Sequence, residues 1–445
     1  MIKWSAGYEL LRSYVRFGFW LTHKRIIVTG HELIPKNKPV IFAPNHQNAL
    51  MDPLAVACTN PLQSVWLARA DIFKSKAALP ILKFTKLLPV YRIRDGKNNL
   101  SNNEEIFSQV VQVLESKQSV ALFPEAAHSG KRQMLPHRKA IPRIALEAEE
   151  KNNFELELQI VPVGIYYSHY WLFNRTLVVQ YGKPIEVDRY KAEYAGNPQK
   201  AMLSLRDEIH RKLTPLILQI NSEKQYAEYE NLRQLAGKAY SKTRFFSKNR
   251  ILRRLYAEQE LIARIERLEI EKPQQFEKII EESTTYFNTI NALHLTDEQI
   301  RKAGKAHWTG FVARLLAIVF TFPLFAFGFL FNVLPFFIPR KILRGKVKDT
   351  AFLSTFNFVA GLILFPVSYL IEAALVFVFT GSGIISLVAF ILMPFAGKMA
   401  FNLSVFYHEV LYNLKLMIGY KINLKQITSH RKVLIDLILN GIGEV

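Results

Sequence analysis

Between residues 25 and 190, short apolar runs alternate along the chain with longer segments that have a helical period. The runs predict strands at residues 25–30, 39–43, 63–68, 119–124, 159–167 and 176–181, and the longer segments predict helices at residues 52–59, 73–88, 103–117 and 137–150. Strands that are apolar throughout and alternate with helices are typical of a sheet with both faces covered. The pattern therefore predicts an α/β domain with a mostly parallel sheet.

The segments around this domain have helical patterns of other kinds. In residues 1–24, aromatic and aliphatic side chains recur at helical spacing among basic ones, which fits an amphipathic helix at a membrane surface or a helix packed on the domain. Residues 191–310 form a helical charged region. Within it, mixed charges in residues 258–271 indicate a solvated face, and the basic stretch 241–256 suits a solvated face or a membrane surface. We interpret residues 402–445 as an amphipathic tail.

The region of residues 311–401 is predicted to lie in a membrane. It contains three apolar runs, at residues 315–337, 351–379 and 384–396. The first two are long enough to cross a bilayer, so we expect an integral membrane protein with multi-pass or re-entrant segments. Pro323 and Pro335 interrupt the first run, and basic residues crowd the loop after it. Since basic loops favour the cytoplasm, we predict that this run turns back as a re-entrant hairpin and that the α/β domain is cytoplasmic.

Composition narrows the choice of partner. The 445-residue chain is 50% apolar and carries a net charge of +21. Such an excess suits a phosphate-rich partner, either nucleic acid or the anionic surface of a membrane. The long apolar runs favour the lipid bilayer, and because no nucleic-acid-binding motif accompanies the charge, we expect no nucleic acid partner. The one cysteine, Cys58, excludes an internal disulfide framework and fits a small buried side chain better than a catalytic thiol.

Candidate catalytic residues follow the second predicted strand. His46 stands at the carboxyl end of that strand, and Asp52 opens the next predicted helix. A histidine can take a proton from a hydroxyl near neutral pH, while a carboxylate fixes its tautomer and stabilises the imidazolium. On a continuous helix this spacing would place the two side chains about 120° apart, so the pair can meet only across a turn. Alone, such a pair is more often structural.

Further polar residues lie close to the other predicted strands. Arg92 and Arg94 lie on the same face of an extended segment, where two guanidinium groups can grip a phosphate. Glu125 and His128 come directly after one strand, and Pro162 lies on a later one. Taken singly, the arginines fit a solvated strand face, Glu125 fits a helix cap, and His128 fits a surface position.

In this order and spacing, these segments resemble the motif series of the glycerophospholipid acyltransferases, the family of the lysophosphatidic acid and glycerol-3-phosphate acyltransferases. The resemblance covers roughly residues 25–190. It implies that His46 and Asp52 are catalytic and that the substrate-binding residues are Arg92, Arg94, Glu125, His128 and Pro162, with the arginines on the acceptor phosphate and Pro162 near the acyl donor. It also implies acyl-CoA or acyl-carrier protein as donor. Because the sequence contains no visible metal-ligand cluster, we expect neither a metal nor a cofactor.

The chain departs from the family's commonest pattern at three places. Five residues separate His46 from Asp52 instead of four, a longer form that resembles the Asn-Gln variant of fungal glycerol-3-phosphate or dihydroxyacetone-phosphate acyltransferases. Ala126 replaces the usual glycine after the glutamate, and His128 takes the position of the usual arginine. These changes bear on the acceptor more than on the reaction.

Together these features predict a membrane-bound acyltransferase of phospholipid biosynthesis. It would move a fatty acyl group to the hydroxyl of 1-acylglycerol 3-phosphate or glycerol 3-phosphate, with Arg132 or Lys139 supplying the charge of the missing arginine. The alternative is a membrane-anchored interaction protein that keeps the acyltransferase fold without activity. The altered glutamate motif favours this alternative, whereas the presence of both His46 and Asp52 argues against it.

Overall fold

The computed structural model of the chain divides into two compact units. Unit 1 contains Met1–Ile217 and Pro339–Leu362, and unit 2 contains Leu218–Ile338 and Ile363–Val445. The structure describes residues 4–76, 79–91, 102–244, 247–303, 308–343, 345–347, 351–417 and 424–443. The predicted division into five successive segments stays a prediction.

Unit 1 is built on an eight-stranded sheet. Its strands are β1 (His23–Thr29), β2 (Val40–Pro44), β3 (Val65–Arg69), β4 (Leu87–Val90), β5 (Ser119–Ala121), β6 (Gln159–Tyr167), β7 (Arg175–Tyr181) and β8 (Ile185–Glu186). Their order is β1-β7-β6-β2-β5-β3-β4, and β8 also pairs with β6. Strand β6 is antiparallel to β7 and β8, while the other described pairs are parallel. The predicted α/β fold with a mostly parallel sheet is confirmed.

Helices cover both faces of this sheet. They are α1 (Ala6–Thr22), α2 (Met51–Thr59), α3 (Leu79–Phe84), α4 (Asn102–Glu115), α5 (Ala140–Lys151), α6 (Lys191–Gly196) and α7 (Pro198–Leu213). Because strand side chains alternate, Ile41 of β2 enters a core shared with α4, α5 and α7, whereas Phe42 enters a core shared with α1 and α2. Burial on both faces explains why β2 is apolar throughout.

The helix predicted at residues 73–88 is confirmed only in part, since α3 covers Leu79–Phe84 and the end of the predicted segment belongs to β4. A 3-10 helix (Ala70–Lys74) and the short α3 precede β4, which pairs in parallel with β3. Pairing with β3 overrides the local helical period, and Pro89 is tolerated because β4 is the last strand in the described order. The strand predicted at residues 119–124 is also shorter, ending at Ala121.

The N-terminal helix α1 packs on the domain along one face. Tyr8 and Phe19 are buried, and Phe19 belongs to the same core as Phe42. The other face exposes apolar side chains, among them Leu10 and Trp20. The packed-helix interpretation therefore describes one face of α1, and the membrane-surface role of the other face stays a prediction.

Unit 2 is helical. The remaining helices of the chain are α8 (Tyr226–Thr243), α9 (Arg250–Glu271), α10 (Pro273–Ala292), α11 (Asp297–Ala303), α12 (Trp308–Leu343), α13 (Ala351–Thr380), α14 (Gly383–Met417) and α15 (Leu424–Gly441). The solvated face predicted for residues 258–271 is wrong for Glu258, which is fully buried. Its carboxylate accepts hydrogen bonds from Arg233 at 2.5 Å and Arg254 at 2.6 Å, so ion pairing offsets the cost of burial.

Three helices are long and apolar enough to cross a membrane: Gly310–Leu343, Phe352–Thr380 and Gly383–Leu414. The predicted re-entrant hairpin is wrong, because α12 is one continuous helix through Pro323 and Pro335. Each proline removes one backbone hydrogen bond, and long apolar helices tolerate this loss when neighbouring groups compensate. Helix α14 is also longer than the predicted third run and passes the predicted boundary at residue 401.

A buried asparagine joins these three helices within unit 2. Asn332 of α12 accepts a hydrogen bond from the Tyr369 hydroxyl of α13 at 2.6 Å. Its amide donates to the carbonyl of Met393 in α14 at 3.4 Å. Small residues permit this close approach, since a Cβ at Gly397 would lie 2.2 Å from the Asn332 oxygen.

Candidate active site

The loop after β2 is held by Asn45, which continues the hydrogen bonding of β2 to β6. The Asn45 side chain accepts from the Ile165 amide at 2.6 Å and donates to the Ile165 carbonyl at 3.2 Å. Its own backbone amide donates to the Val163 carbonyl of β6 at 3.2 Å. Strand β2 is thus extended by one residue, and this fixes His46 at the carboxyl edge of the sheet.

His46 and Asp52 lie in direct contact. His46 Nδ1 is 2.9 Å from Asp52 Oδ2. An ionised carboxylate only accepts hydrogen bonds, so Nδ1 carries the proton and Nε2 keeps its lone pair. The His46 side chain is 15% exposed and that of Asp52 only 1%. The geometry therefore presents an accessible base with a buried carboxylate behind it.

The Asp52 carboxylate is fixed by more than the histidine. The same oxygen accepts from the backbone amides of Gln47 and Asn48, each at 2.6 Å. Asp52 also lies in the first turn of α2, where the helix dipole favours a negative charge. Because α2 begins only at Met51, His46 stands outside the helix and meets Asp52 across a turn, as the spacing predicted.

Two further rings border the His46 imidazole. Phe123 stacks on it with ring centroids 3.9 Å apart and an interplanar angle of 15°. The ring of His128 stands edge-on, with centroids 5.4 Å apart. These neighbours limit rotation of the imidazole and hold Nε2 in one direction. The structure therefore brings His128 to the site, and it adds Phe123, which had no role in the sequence interpretation.

Glu125 joins two loops of the site. One carboxylate oxygen accepts from the His46 backbone amide at 2.8 Å, and the other accepts from the Leu135 amide at 2.7 Å. Burial raises the pKa of Glu125 to about 8, against these two backbone bonds, which lower it, and with the charge of Asp52, which raises it. Both oxygens are engaged with main chain, which is a positioning contact. The substrate contact predicted for Glu125 stays a prediction.

The residue after Glu125 explains why glycine is usual in this motif. Ala126 has φ +57°, in the left-handed region that side chains other than glycine rarely adopt. An L-residue there costs about 1–2 kcal/mol relative to the right-handed region. The chain keeps the tight turn after Glu125 in spite of the substitution.

Buried residues next to Asp52, which the sequence analysis did not predict, also support the site. Tyr167 is fully buried, and burial followed by the charge of Asp52 raises its pKa well above the ordinary value. The Arg175 guanidinium lies 4.6 Å from the centre of the Tyr167 ring. It also donates to the Tyr170 carbonyl, which accepts from Asn48 Nδ2 at 2.9 Å as well. This positive charge partly offsets the buried Asp52 carboxylate.

The other predicted residues have different surroundings. Pro162 is buried on β6, where it pairs with Ala43. Arg132 is buried and donates to the carbonyls of Tyr167 and Ser168 at 3.0 and 3.2 Å, so it is engaged with the backbone. Lys139 Nζ lies 3.3 Å from the Gln199 side chain. These contacts identify neither basic residue as a replacement for the missing arginine.

Arg92 and Arg94 lie outside the described residues. Tyr91, directly before them, exchanges hydrogen bonds of 2.9 and 2.8 Å with the Asn103 side chain of α4. It follows β4, and β4, β3, β5 and β2 are mutually parallel. Tyr91 therefore lies at the same carboxyl edge of the sheet as His46. The phosphate contact predicted for Arg92 and Arg94 stays a prediction.

The His46–Asp52 pair lies at the carboxyl edge of a mostly parallel sheet, where a histidine oriented by a carboxylate can act as a general base. Among known protein families, residues 25–166 match the model described as Acyltransferase. The chain is 30% identical over 113 residues to the Glycerol-3-phosphate O-acyltransferase 2 of Saccharomyces cerevisiae, across 25% of this chain and 15% of that protein.

Two further relatives have shorter chains. The 1-acyl-sn-glycerol-3-phosphate acyltransferase of Borreliella burgdorferi is 25% identical over 213 residues, across 46% of this chain and 79% of that protein. The crystal structure of the 1-acyl-sn-glycerophosphate (LPA) acyltransferase PlsC from Thermotoga maritima aligns with a TM-score of 0.33 and 16% identity, across 46% of this chain and 78% of that one. The chain combines a segment that matches the Acyltransferase family model and has glycerolipid acyltransferase relatives with three helices that are long and apolar enough to cross a membrane.

Proposed function

We propose that this chain is a membrane-bound O-acyltransferase that esterifies a phosphorylated glycerol. The donor is a fatty acyl thioester, either acyl-CoA or acyl-carrier protein, and the acceptor is glycerol 3-phosphate or 1-acylglycerol 3-phosphate. The observation that carries the proposal is the contact of His46 Nδ1 with Asp52, which leaves the other ring nitrogen, Nε2, outside this contact on a side chain that is 15% exposed. The chemistry needs a base of this kind, because a neutral hydroxyl is a weak nucleophile.

The proposed reaction follows from this geometry. The acceptor hydroxyl loses its proton to His46 Nε2 as its oxygen attacks the thioester carbonyl. The tetrahedral intermediate collapses, the carbon–sulfur bond breaks, and the imidazolium returns the proton to the departing thiolate. Asp52 stabilises the imidazolium between these steps. Arg92 and Arg94 are proposed to hold the acceptor phosphate, so that its hydroxyl faces His46.

The relatives support the class of acceptor and leave two members of it. One is named for glycerol 3-phosphate and another for 1-acyl-sn-glycerol 3-phosphate. The yeast match covers a small share of that protein, so its acceptor enters here as a proposal. The three candidate spans favour a membrane location, which suits a lipid product. The assembled His46–Asp52 pair favours an enzyme over an inactive interaction protein.

The test is an acyl-transfer assay on the full chain in detergent or in isolated membranes. Radiolabelled palmitoyl-CoA and palmitoyl-acyl-carrier protein are each offered with glycerol 3-phosphate, 1-acylglycerol 3-phosphate or monoacylglycerol. We expect labelled phospholipid from at least one phosphorylated acceptor and little product from monoacylglycerol, which has no phosphate to bind. Equal transfer to monoacylglycerol would contradict the proposed acceptor class, and no transfer with any pair would contradict the proposed reaction.

A further inference from the structure

The beginning of α13 belongs to unit 1, although most of this helix is a candidate membrane span. Ser354 donates to the Asn48 side chain at 2.9 Å in a buried hydrogen bond. Phe358 meets Phe19 of α1 edge-on, with ring centroids 5.5 Å apart. Because Asn48 lies two residues from His46, the first turns of α13 are fixed against the loop that carries the proposed base.

One side chain of α13 reaches the rings around His46. Phe352 stands edge-on to His128, with ring centroids 5.2 Å apart and an interplanar angle of 81°. His128 is in turn the edge-on neighbour of His46. An apolar side chain of the C-terminal region is therefore separated from the proposed base by a single imidazole ring.

Phe352 is the first residue of an apolar stripe along α13. Phe356 and Val359 follow at four and seven residues, which is the spacing of one helix face. These two side chains are exposed, whereas the face with Ser354 and Phe358 is buried. The Phe352 and Phe356 rings lie 6.2 Å apart. Seven residues of helix rise about 10 Å, so the stripe runs from the site into the candidate span.

We propose that this stripe, formed by Phe352, Phe356 and Val359, binds the acyl chain of the donor where it leaves the reacting carbonyl. This inference rests on the proposed function. The reaction places the thioester carbonyl beside His46, and the attached hydrocarbon needs an apolar surface that begins there. Of the two proposed acceptors, glycerol 3-phosphate has no hydrocarbon chain, whereas 1-acylglycerol 3-phosphate carries one of its own, so the experiment varies the chain of the donor alone. The C-terminal helix would then select the acyl chain in addition to any anchoring role.

The experiment compares donors of different chain length on full-length variants. Phe356→Ala removes a large part of the stripe beyond the first turn, whereas Phe379→Ala makes the same change at the far end of the same helix, where the ring is 84% exposed. For each protein, kcat/KM is measured with palmitoyl-CoA and with butyryl-CoA. We expect the palmitoyl-to-butyryl ratio to fall roughly tenfold in Phe356→Ala, since each lost methylene contact is worth up to about fourfold. The ratio should stay at the wild-type value in Phe379→Ala.

The outcomes separate this inference from the proposed function. An active Phe356→Ala with an unchanged ratio overturns the role of the stripe and leaves the proposed function intact. An equal change in Phe379→Ala also overturns it, because the effect would then be common to all lipid-facing positions. A wild-type protein without acyl transfer overturns both proposals.

A labelling experiment gives a second reading that does not depend on kinetic constants. A palmitoyl-CoA analogue with a diazirine near the end of its chain is irradiated with the wild-type protein, and the labelled peptides are identified by mass spectrometry. We expect label on the peptide that contains Phe356 and Val359, and displacement of that label by excess palmitoyl-CoA. Displaceable label that lies only on other segments overturns the inference.

Discussion

Strand β6 in unit 1 and helix α13 are both apolar segments, but their surroundings are opposite. All nine residues of β6 are buried between helices and neighbouring strands. In the most apolar window of α13 only 11% of the residues are buried, and side chains such as Phe377 and Val378 are exposed. A water-soluble surface does not expose that much contiguous hydrocarbon. The length of an apolar run therefore indicates whether protein or lipid surrounds it. A short strand can be buried inside a sheet, whereas a thirty-residue apolar helix needs lipid around it.

Both regions contain buried polar groups that are hydrogen-bonded within the protein. Around His46, the backbone amides of the loop donate to Oε1 of Glu125 and to Oδ2 of Asp52. Between the long helices, Asn332 is satisfied by Tyr369 and by a backbone carbonyl. A buried polar group without a partner is costly in protein and in hydrocarbon alike. The regions differ in what the polar groups accomplish, since those of unit 1 also orient a base.

The substitution Asp52→Asn is the strongest test of whether the polar groups of unit 1 orient a base. The amide keeps the volume of Asp52 but removes the charge that stabilises the imidazolium and holds its tautomer, so we expect kcat to fall roughly 10²- to 10⁴-fold. Asp71→Asn, at a partly exposed position paired with Arg69, is the matched control and should keep wild-type turnover. Near-normal turnover by a folded Asp52→Asn protein would show that the contact is only structural.

Two lysine substitutions test whether α12 faces lipid and α9 faces water. Leu330 of α12 and Ile270 of α9 are 67% and 81% exposed. If α12 faces lipid, Leu330→Lys should cost about 3 kcal/mol of insertion, while Ile270→Lys in water should change stability by less than about 0.5 kcal/mol. The measurements are the fraction of protein that resists alkaline carbonate extraction and the melting temperature in nanodiscs. Equal losses in both variants would remove the contrast between the regions.

Arg92→Ala and Arg94→Ala probe the acceptor side of the site. If each arginine grips the acceptor phosphate, its loss removes a charge-assisted hydrogen-bonded pair worth about 1.5–3 kcal/mol. The apparent KM for the phosphorylated acceptor should rise roughly ten- to a hundred-fold, and the KM for acyl-CoA should change much less. Lysine should rescue only in part, because a point charge does not reproduce the planar fork. A larger rise in the acyl-CoA KM would reassign the arginines to the donor.

The pH dependence of stability tests the buried Glu125. Its pKa is raised from 4.5 to about 8, so the folded state holds this proton more tightly than the unfolded state. The stabilising contribution is therefore complete below about pH 4.5 and is lost as pH rises toward 8, at up to about 1.4 kcal/mol per pH unit. Relative to Glu125→Gln, which cannot titrate, the wild-type melting temperature in detergent should decline across this range. A constant difference between the two proteins would contradict the shift.

Much of the fold could be predicted because its signals are local. Strand β6 has the predicted bounds, and α4 and β7 differ from the predicted segments by one or two residues. These segments have a clear period or a continuous apolar run. Strand β4 could not be recognised in this way, since its four residues become a strand only by pairing with β3. The path of α12 was missed because proline is a weaker breaker in an apolar helix than in water.

The site was predictable where its residues are close in sequence. The spacing of His46 and Asp52 required a turn between them, and the structure contains that turn. Phe123 and Arg175 were not foreseen, because the strand order alone brings β5 and β7 near β2. Ser354 is 306 residues from its partner Asn48, and no local pattern relates positions so distant. The sequence therefore indicates the chemistry of the dyad, while its support depends on the tertiary fold.

The most direct test of the account is acyl transfer by the wild-type chain and by His46→Ala in the same assay, with equal amounts of folded, membrane-associated protein. We expect wild-type transfer from acyl-CoA or acyl-carrier protein to glycerol 3-phosphate or 1-acylglycerol 3-phosphate. We expect His46→Ala to lose roughly 10²- to 10⁴-fold of that rate, because the substitution removes the imidazole that Asp52 orients as the proposed base. A His46→Ala protein that transfers acyl groups at close to the wild-type rate would contradict the central claim.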